Sequence, residues 1–532
     1  MNKITLYTLT YLIVVISWAK AGLAGDWILF AIDGVVLLSL FALFSCKHSF
    51  KFCLVCFLPI LLLCLQFSIS YLNPTYKILD IKEWGDLNVE KSLSEETDIE
   101  KIIMVSETFK NISDLSLSES NLCHTVFFDF KNRYFDKFPQ SKSPCTKLIL
   151  DYENKITLTP NSYFPTLAVS SESTLFAFIH KICQLSVGVI FFVLLNDRKI
   201  IRKLLLIITL NAGLLAIVGI WQKLNYIPSD NLLEILGIWD TPEPRYYFST
   251  FTYKNHWSAF AIVIISIAIG LLVDNFRRYR LDSFRKAKSY LLFLSIIFTA
   301  ISIPLSGSRS GTILFILTTF ILSITIFKFF AHTTLKKWSI LLFSLVLSFS
   351  LILFFSKKLH PETSNEMVTN LKTQFNQLSE GKLPLRVLLW NDLIKQISQK
   401  PFYGYGFNSY RTINPKYQSK DVRILRNIVL ANAHHRYTPL IGFGHNDWLE
   451  KISEFGFLGL IISIPYLVIL TFNLFKTNSL LSRILSLGGV IFLIYSIIDF
   501  PSQTPLSLII FSTLIGVSIK YSYLLRKKLN MH

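Results

Sequence analysis

The hydrophobic and polar positions fall into twelve apolar segments, at roughly 5–22, 27–45, 52–72, 174–196, 201–222, 256–274, 289–305, 311–330, 338–356, 455–474, 484–499 and 504–524. Each approaches the ~20 mostly apolar residues that a helix needs to cross a bilayer. In lipid a helix satisfies its own backbone hydrogen bonds, which an open strand cannot. The pattern therefore predicts an all-α polytopic membrane protein with about 12 transmembrane helices. Two long polar stretches interrupt it. The chain divides into 1–72 (helices 1–3), 73–173 (an insert), 174–356 (helices 4–9), 357–453 (a long loop) and 454–532 (helices 10–12 and a tail).

Within the insert, Thr125–Phe130, Lys147–Tyr152 and Lys155–Thr159 read as short strands, which predicts a small folded unit. Within the second loop, Leu385, Leu388, Leu389, Leu393 and Ile397 recur at helical spacing between Pro384 and Pro401. That predicts an amphipathic helix. It either lies on the membrane surface or packs onto the tops of the spans.

Composition sharpens the class. Of 532 residues, 52% are hydrophobic and 16% charged, against about 25% charged in soluble domains. Soluble enzymes and disordered chains are excluded. The net charge of +19 would suggest nucleic acid in a soluble protein, but here it maps onto topology. Lys47 and Lys51, Arg198 to Lys203, Arg277 to Lys288, Lys328 to Lys337, Lys476 and Arg483, and Arg526 to Lys528 all fall on one side of the predicted membrane. The positive-inside rule makes that side cytoplasmic, with both termini inside, and no nucleic-acid partner is implied. The two long loops are then periplasmic. The first carries 11 Lys/Arg against 16 Asp/Glu, the second 14 against 7. A basic outer loop fits a polyanionic partner. The seven cysteines form no disulfide scaffold. Cys123 and Cys145 could pair in an oxidising compartment, and the others read as small buried hydrophobes.

Four short stretches at the outer ends of spans carry the candidate chemistry. Phe248–His256 leads into span 6, and Ser306-Gly-Ser-Arg-Ser-Gly311 is a tight turn between spans 7 and 8. Arg386 to Trp390 lies on the loop helix, ahead of Pro401-Phe-Tyr-Gly-Tyr-Gly-Phe407. Gly444-His-Asn-Asp-Trp-Leu-Glu450 opens span 10 and is followed by Glu454-Phe-Gly456. Arg309, among Gly and Ser, offers a planar fork of donors to phosphate, or is a snorkelling arginine. Arg386 borders the apolar face of its helix and is either a phosphate contact or a plain arginine on a solvated face. Lys254 and His256 at the mouth of span 6 are candidate phosphate or sugar contacts, with Arg245 upstream as another. His445 is a candidate general base, or a helix-entry histidine bonded to backbone. Glu450, five residues on, lies about 140° round a straight helix, so any group that orients His445 is expected from another segment. His434, His435 and Arg436 read as a solvated loop, with no carboxylate at metal-ligand spacing. No Asp-x-Asp pair stands at the outer face. No metal site and no cofactor are predicted, and Arg and Lys are left to neutralise charge.

Together the four stretches resemble the bacterial O-antigen ligase/polymerase superfamily, which transfers glycans from undecaprenyl diphosphate carriers. The features fall in the family's order across residues 200–465: Phe251-Thr-Tyr-Lys-Asn-His256, Ser308-Arg309, Arg386 to Trp390 with Gly404-Tyr-Gly406, and His445-Asn-Asp-Trp-Leu-Glu450 with Glu454 to Gly459. The resemblance implies a GT-C-like membrane glycosyltransferase of the bacterial inner membrane. Its donor would be an undecaprenyl-diphosphate-linked glycan, and its acceptor lipid A core, another glycan or a protein. It implies that His445 is the base on the acceptor hydroxyl, and that Arg309 and Arg386 hold the diphosphate. One departure concerns the family's His-x-His-Asn, whose first position is Phe443 here; that histidine's role is absent or falls to His434 or His435. The competing readings are a polymerase of the same superfamily, a multi-span transporter or flippase, and an assembly scaffold. Transporters usually place ionisable groups near the bilayer midplane. The spans here are nearly uncharged except for Asp33, His180 and Lys181, which favours the enzyme.

Overall fold

The computed structural model describes residues 2–44, 50–77, 163–170, 172–225, 235–239, 246–279, 282, 286–330, 383–419, 421–422 and 441–529. Span 9, the strands expected in the insert, Cys123, Cys145, Arg245 and His435 lie outside them. The described chain is almost wholly helical. Its helices are α1 (Asn2–Trp18), α2 (Asp26–Phe44), α3 (Phe50–Leu72), α4 (Glu172–Leu194), α5 (Arg198–Leu224), α6 (Lys254–Tyr279), α7 (Ala287–Leu305), α8 (Arg309–Phe330), α9 (Leu385–Gln399), α10 (Tyr410–Tyr417), α11 (Asp447–Lys476), α12 (Leu480–Ile498) and α13 (Pro505–Leu529). Among the described residues, ten helices are long and apolar enough to span a membrane, and α1 is a shorter apolar helix. Eleven of the twelve expected spans are therefore helices in place, and the chain is an all-α polytopic membrane protein.

Two short strands, β1 (Pro74–Lys77) and β2 (Leu167–Ser170), pair in parallel with Pro74 opposite Leu167 and Lys77 opposite Ser170. They join the two ends of the long insert. The described residues form two compact units.

The first unit gathers Met1–Ile60, Ile179–Glu380 and Ile464–His532. Its centre is α6, whose residues from Asn255 to Ala268 are all buried. Helices α5, α7, α8, α12 and α13 pack around it. Small residues set the closest approaches: a Cβ on Gly188 of α4 would strike the Ser512 carbonyl of α13, and one on Gly516 would strike the Gly188 carbonyl. Such contacts let helices pack by van der Waals fit where lipid offers no hydrophobic drive.

The second unit gathers Leu61–Phe178 and Gly381–Ser463. Here α9 starts right after Pro384 and ends at Gln399, within the bounds expected from Pro384 and Pro401. Leu388, Leu389 and Leu393 pack with Tyr410, Val422 and Ile441 in a small core. These leucines are spent on that core, and none of them is left for a bilayer surface. Helix α11 begins in this unit and breaks at Gly456, whose φ of 66° and ψ of −171° are non-helical.

Candidate functional site

Sequence-predicted residues sit in two polar clusters, one in each unit. In the first unit the cluster forms where α6, α8 and the α12–α13 turn meet. Asn255, one residue into α6, is its hub. Its Nδ2 donates to Asp499 Oδ2 at 2.5 Å and to Tyr253 Oη at 2.9 Å, and its Oδ1 accepts from Ser308 Oγ at 2.7 Å. Ser308 Oγ also accepts from the Gly311 amide at 3.1 Å and lies 3.3 Å from Tyr495 Oη. The Ser-Arg turn is thereby fastened from both sides. His256 is buried, shares a 2.7 Å hydrogen bond with Thr504 Oγ1, and meets the Phe500 ring edge-on at 4.7 Å. Lys254 is half-buried, with Nζ 5.1 Å from the centre of the Tyr246 ring. Arg309 opens α8, half-buried, with its Nη1 inside. In the same unit, His180 Nδ1 of α4 lies 2.6 Å from Asp33 Oδ2 of α2, and Lys181 Nζ donates to the Ser502 carbonyl at 2.6 Å.

Asp499 and Tyr495 were not singled out from sequence. The signal for Asp499 was there: a lone carboxylate closing an apolar segment has to find a donor. Replacing Asn255 by Leu strips the Asp499 carboxylate of a donor inside a fully buried site. The expected cost is about 1–3 kcal/mol, read as a lowered unfolding midpoint of the detergent-solubilised protein. An unchanged midpoint would show that the hub carries no structural load.

In the second unit the cluster is built on the turn that enters α11. Asn446 caps that helix, its Oδ1 accepting from the Leu449 amide at 3.0 Å. This is the usual way to satisfy a free amide in a first turn. His445 precedes the cap at φ 51°, in the left-handed region that few non-glycine residues enter. It is half-buried, with its ring Nδ1 inside. The turn lies against α9: a Cβ on Gly444 would meet Leu393 Cδ1, and Trp390 Nε1 donates to the His445 carbonyl at 3.2 Å. Arg386 lies one turn before Trp390 on the same helix and is half-buried.

Glu450 meets the turn through the turn's backbone. His445 is not part of the helix, so the 140° projection does not apply. The buried Glu450 carboxylate reaches back and accepts from the Gly444 amide at 3.0 Å.

Beneath this turn, Pro401–Gly406 crosses the break in α11. Tyr405 and Gly406 amides donate to the Ser453 and Glu454 carbonyls, at 2.9 and 2.8 Å. Phe457 and Leu458 amides donate to the Pro401 and Phe402 carbonyls, at 2.8 and 3.1 Å. The break at Gly456 frees these groups, and the loop takes them up. The Tyr405 carbonyl accepts from Ala168 of β2 at 2.8 Å, tying in the base of the insert. Lys400 Nζ lies 3.3 Å from Thr166 Oγ1 and 5.0 Å from the centre of the Tyr405 ring. Burial holds its amine below the usual lysine range.

The O-antigen ligase family model matches residues 294–464. The chain carries an O-antigen ligase domain. The matched segment is about a third of the chain and contains the Ser-Arg turn, α9, the Pro401–Gly406 loop, the His445 turn and the break in α11. With its many apolar helices, the O-antigen ligase domain makes this a multi-pass bacterial membrane protein. Asn255, His256 and Asp499 lie outside the match. No curated protein matches the chain.

Proposed function

We propose that the protein is a membrane glycosyltransferase that moves a glycan from an undecaprenyl-diphosphate carrier to an acceptor hydroxyl on the periplasmic face of the inner membrane. The observation that carries this reading is His445, held in a left-handed turn at the mouth of a membrane helix, inside the O-antigen ligase match. A histidine so placed takes the proton of the acceptor hydroxyl as that oxygen attacks the anomeric carbon. The bond from that carbon to the diphosphate oxygen breaks, and the diphosphate leaves with its electron pair. Cations neutralise the leaving charge. Arg386 is the candidate on α9, and Lys400 is a second candidate in the same unit.

The displacement is a single step, so the new linkage has inverted configuration. It needs no metal: transfer in purified membranes is expected to keep its full rate after EDTA treatment. Loss of activity on chelation, restored by Mg²⁺ or Mn²⁺, would overturn this part.

Deleting the gene in the native host and running the envelope glycolipids on a gel tests the reading. Carrier-linked polymer over a bare lipid A core marks a ligase. Single repeat units on the core mark a polymerase of the same superfamily. An unchanged ladder overturns both. The transporter reading draws on one observation, the buried Asp33–His180 pair in the first unit. A charge-bearing pair inside a span marks an ion or substrate path in many transporters. Carrier-linked glycan trapped on the cytoplasmic side of the deletion strain would favour it.

A further inference from the structure

The backbone at His445 is held on both sides by side chains. On one side the Glu450 carboxylate accepts from the Gly444 amide at 3.0 Å. On the other the Trp390 indole donates to the His445 carbonyl at 3.2 Å. Between them His445 stands at φ 51°. A side chain enters this region only where its surroundings hold it. Glu450 is 2% exposed, so water is a poor substitute for its bond to Gly444. Trp390 brings the second bond from a separate helix, α9, whose Leu393 lies against Gly444. The Asn446 cap fixes the start of α11 just beyond. With Gly444 and the His445 carbonyl both fixed, the imidazole has only its own side-chain torsions left to set.

We infer that Glu450 and Trp390 are positioning residues that hold the His445 turn in its reactive backbone conformation. The inference rests on His445 being the base. Neither residue accepts the substrate proton; each acts through the peptide it binds. The order of the chain explains why Glu450 serves. One turn into α11 its side chain points back past the cap, towards the amide just upstream of His445. A Gln at this place keeps an oxygen that accepts from Gly444, whereas an Ala leaves that amide without its partner.

The test compares His445→Asn, Glu450→Ala, Glu450→Gln and Trp390→Phe in membranes of the producing bacterium, which carry their own lipid-linked donor. Rates of glycan transfer are read per folded protein across pH. With His445→Asn at background, Glu450→Ala is expected to be about ten- to a hundredfold slow, Trp390→Phe about three- to tenfold slow, and Glu450→Gln within about threefold of wild type with its pH profile in place. Full rates in Glu450→Ala and Trp390→Phe, with His445→Asn inactive, overturn the inference and leave the base assignment standing. Full activity in His445→Asn overturns the base assignment itself. A Glu450→Gln variant as slow as Glu450→Ala, or with a shifted pH profile, makes the carboxylate part of the proton transfer and also overturns positioning. If Glu450→Ala does not accumulate, Trp390→Phe decides, since it removes one donor and keeps an aromatic ring in place.

Discussion

Replacing His445 by asparagine is expected to lower glycan transfer by about 10²–10⁴-fold, the usual contribution of a positioned general base. Asparagine is the informative substitute. It enters the left-handed region more readily than most residues, so the backbone at φ 51° is kept while the base is lost. His445 is half-buried just ahead of α11, and the amount of protein in the membrane is expected to match wild type. The measurement is the initial rate in membranes carrying the native donor, normalised to folded protein. A rate within a few fold of wild type would remove His445 as the base and leave the turn as a helix cap alone.

Replacing Gly456 by alanine is expected to cost about 2–6 kcal/mol and to remove most folded protein. Two effects add. At φ 66° and ψ −171° the residue sits in a region essentially reserved for glycine, at about 1–3 kcal/mol for any other residue. Its new Cβ would also strike the Phe402 carbonyl. Overpacking against backbone, which has little room to give, costs about 1–3 kcal/mol more. Folded proteins hold only about 5–15 kcal/mol in reserve, so the loss is severe. The readout is the yield and unfolding midpoint of protein in detergent. Gly442→Ala is the control: nothing lies within 4 Å of its added Cβ, and it is expected to change stability by less than about 0.5 kcal/mol. Equal behaviour of the two variants would show that the crossing of loop and broken helix does not hold the second unit together.

The spans were legible because hydropathy over twenty residues averages out every local detail, and the bounds of α9 followed from its two prolines. What stayed hidden was pairing at a distance. Gly404-Tyr-Gly406 and Glu454-Phe-Gly456 were visible as motifs. Nothing in either says that one crosses the other, some fifty residues on, through four backbone hydrogen bonds. Glu450 was set aside on helical geometry, because one residue in a left-handed conformation is enough to void the projection and leaves no mark in sequence. Asp499 was passed over for the opposite reason: its partner Asn255 lies 244 residues upstream, and a single acid in an apolar run shows no period.

The crossing at Gly456 also bears on how this protein can vary in length. Glycine pairs in a loop usually suggest a hinge, yet Tyr405 and Gly406 are pinned by their amides, and Pro401 and Phe402 by their carbonyls. One residue inserted between Phe402 and Tyr405 would put the two pairs of bonds out of step with each other on α11. Insertions that spare the pairing belong outside the six-residue stretch Pro401–Gly406, which acts as a fixed spacer in an otherwise long loop.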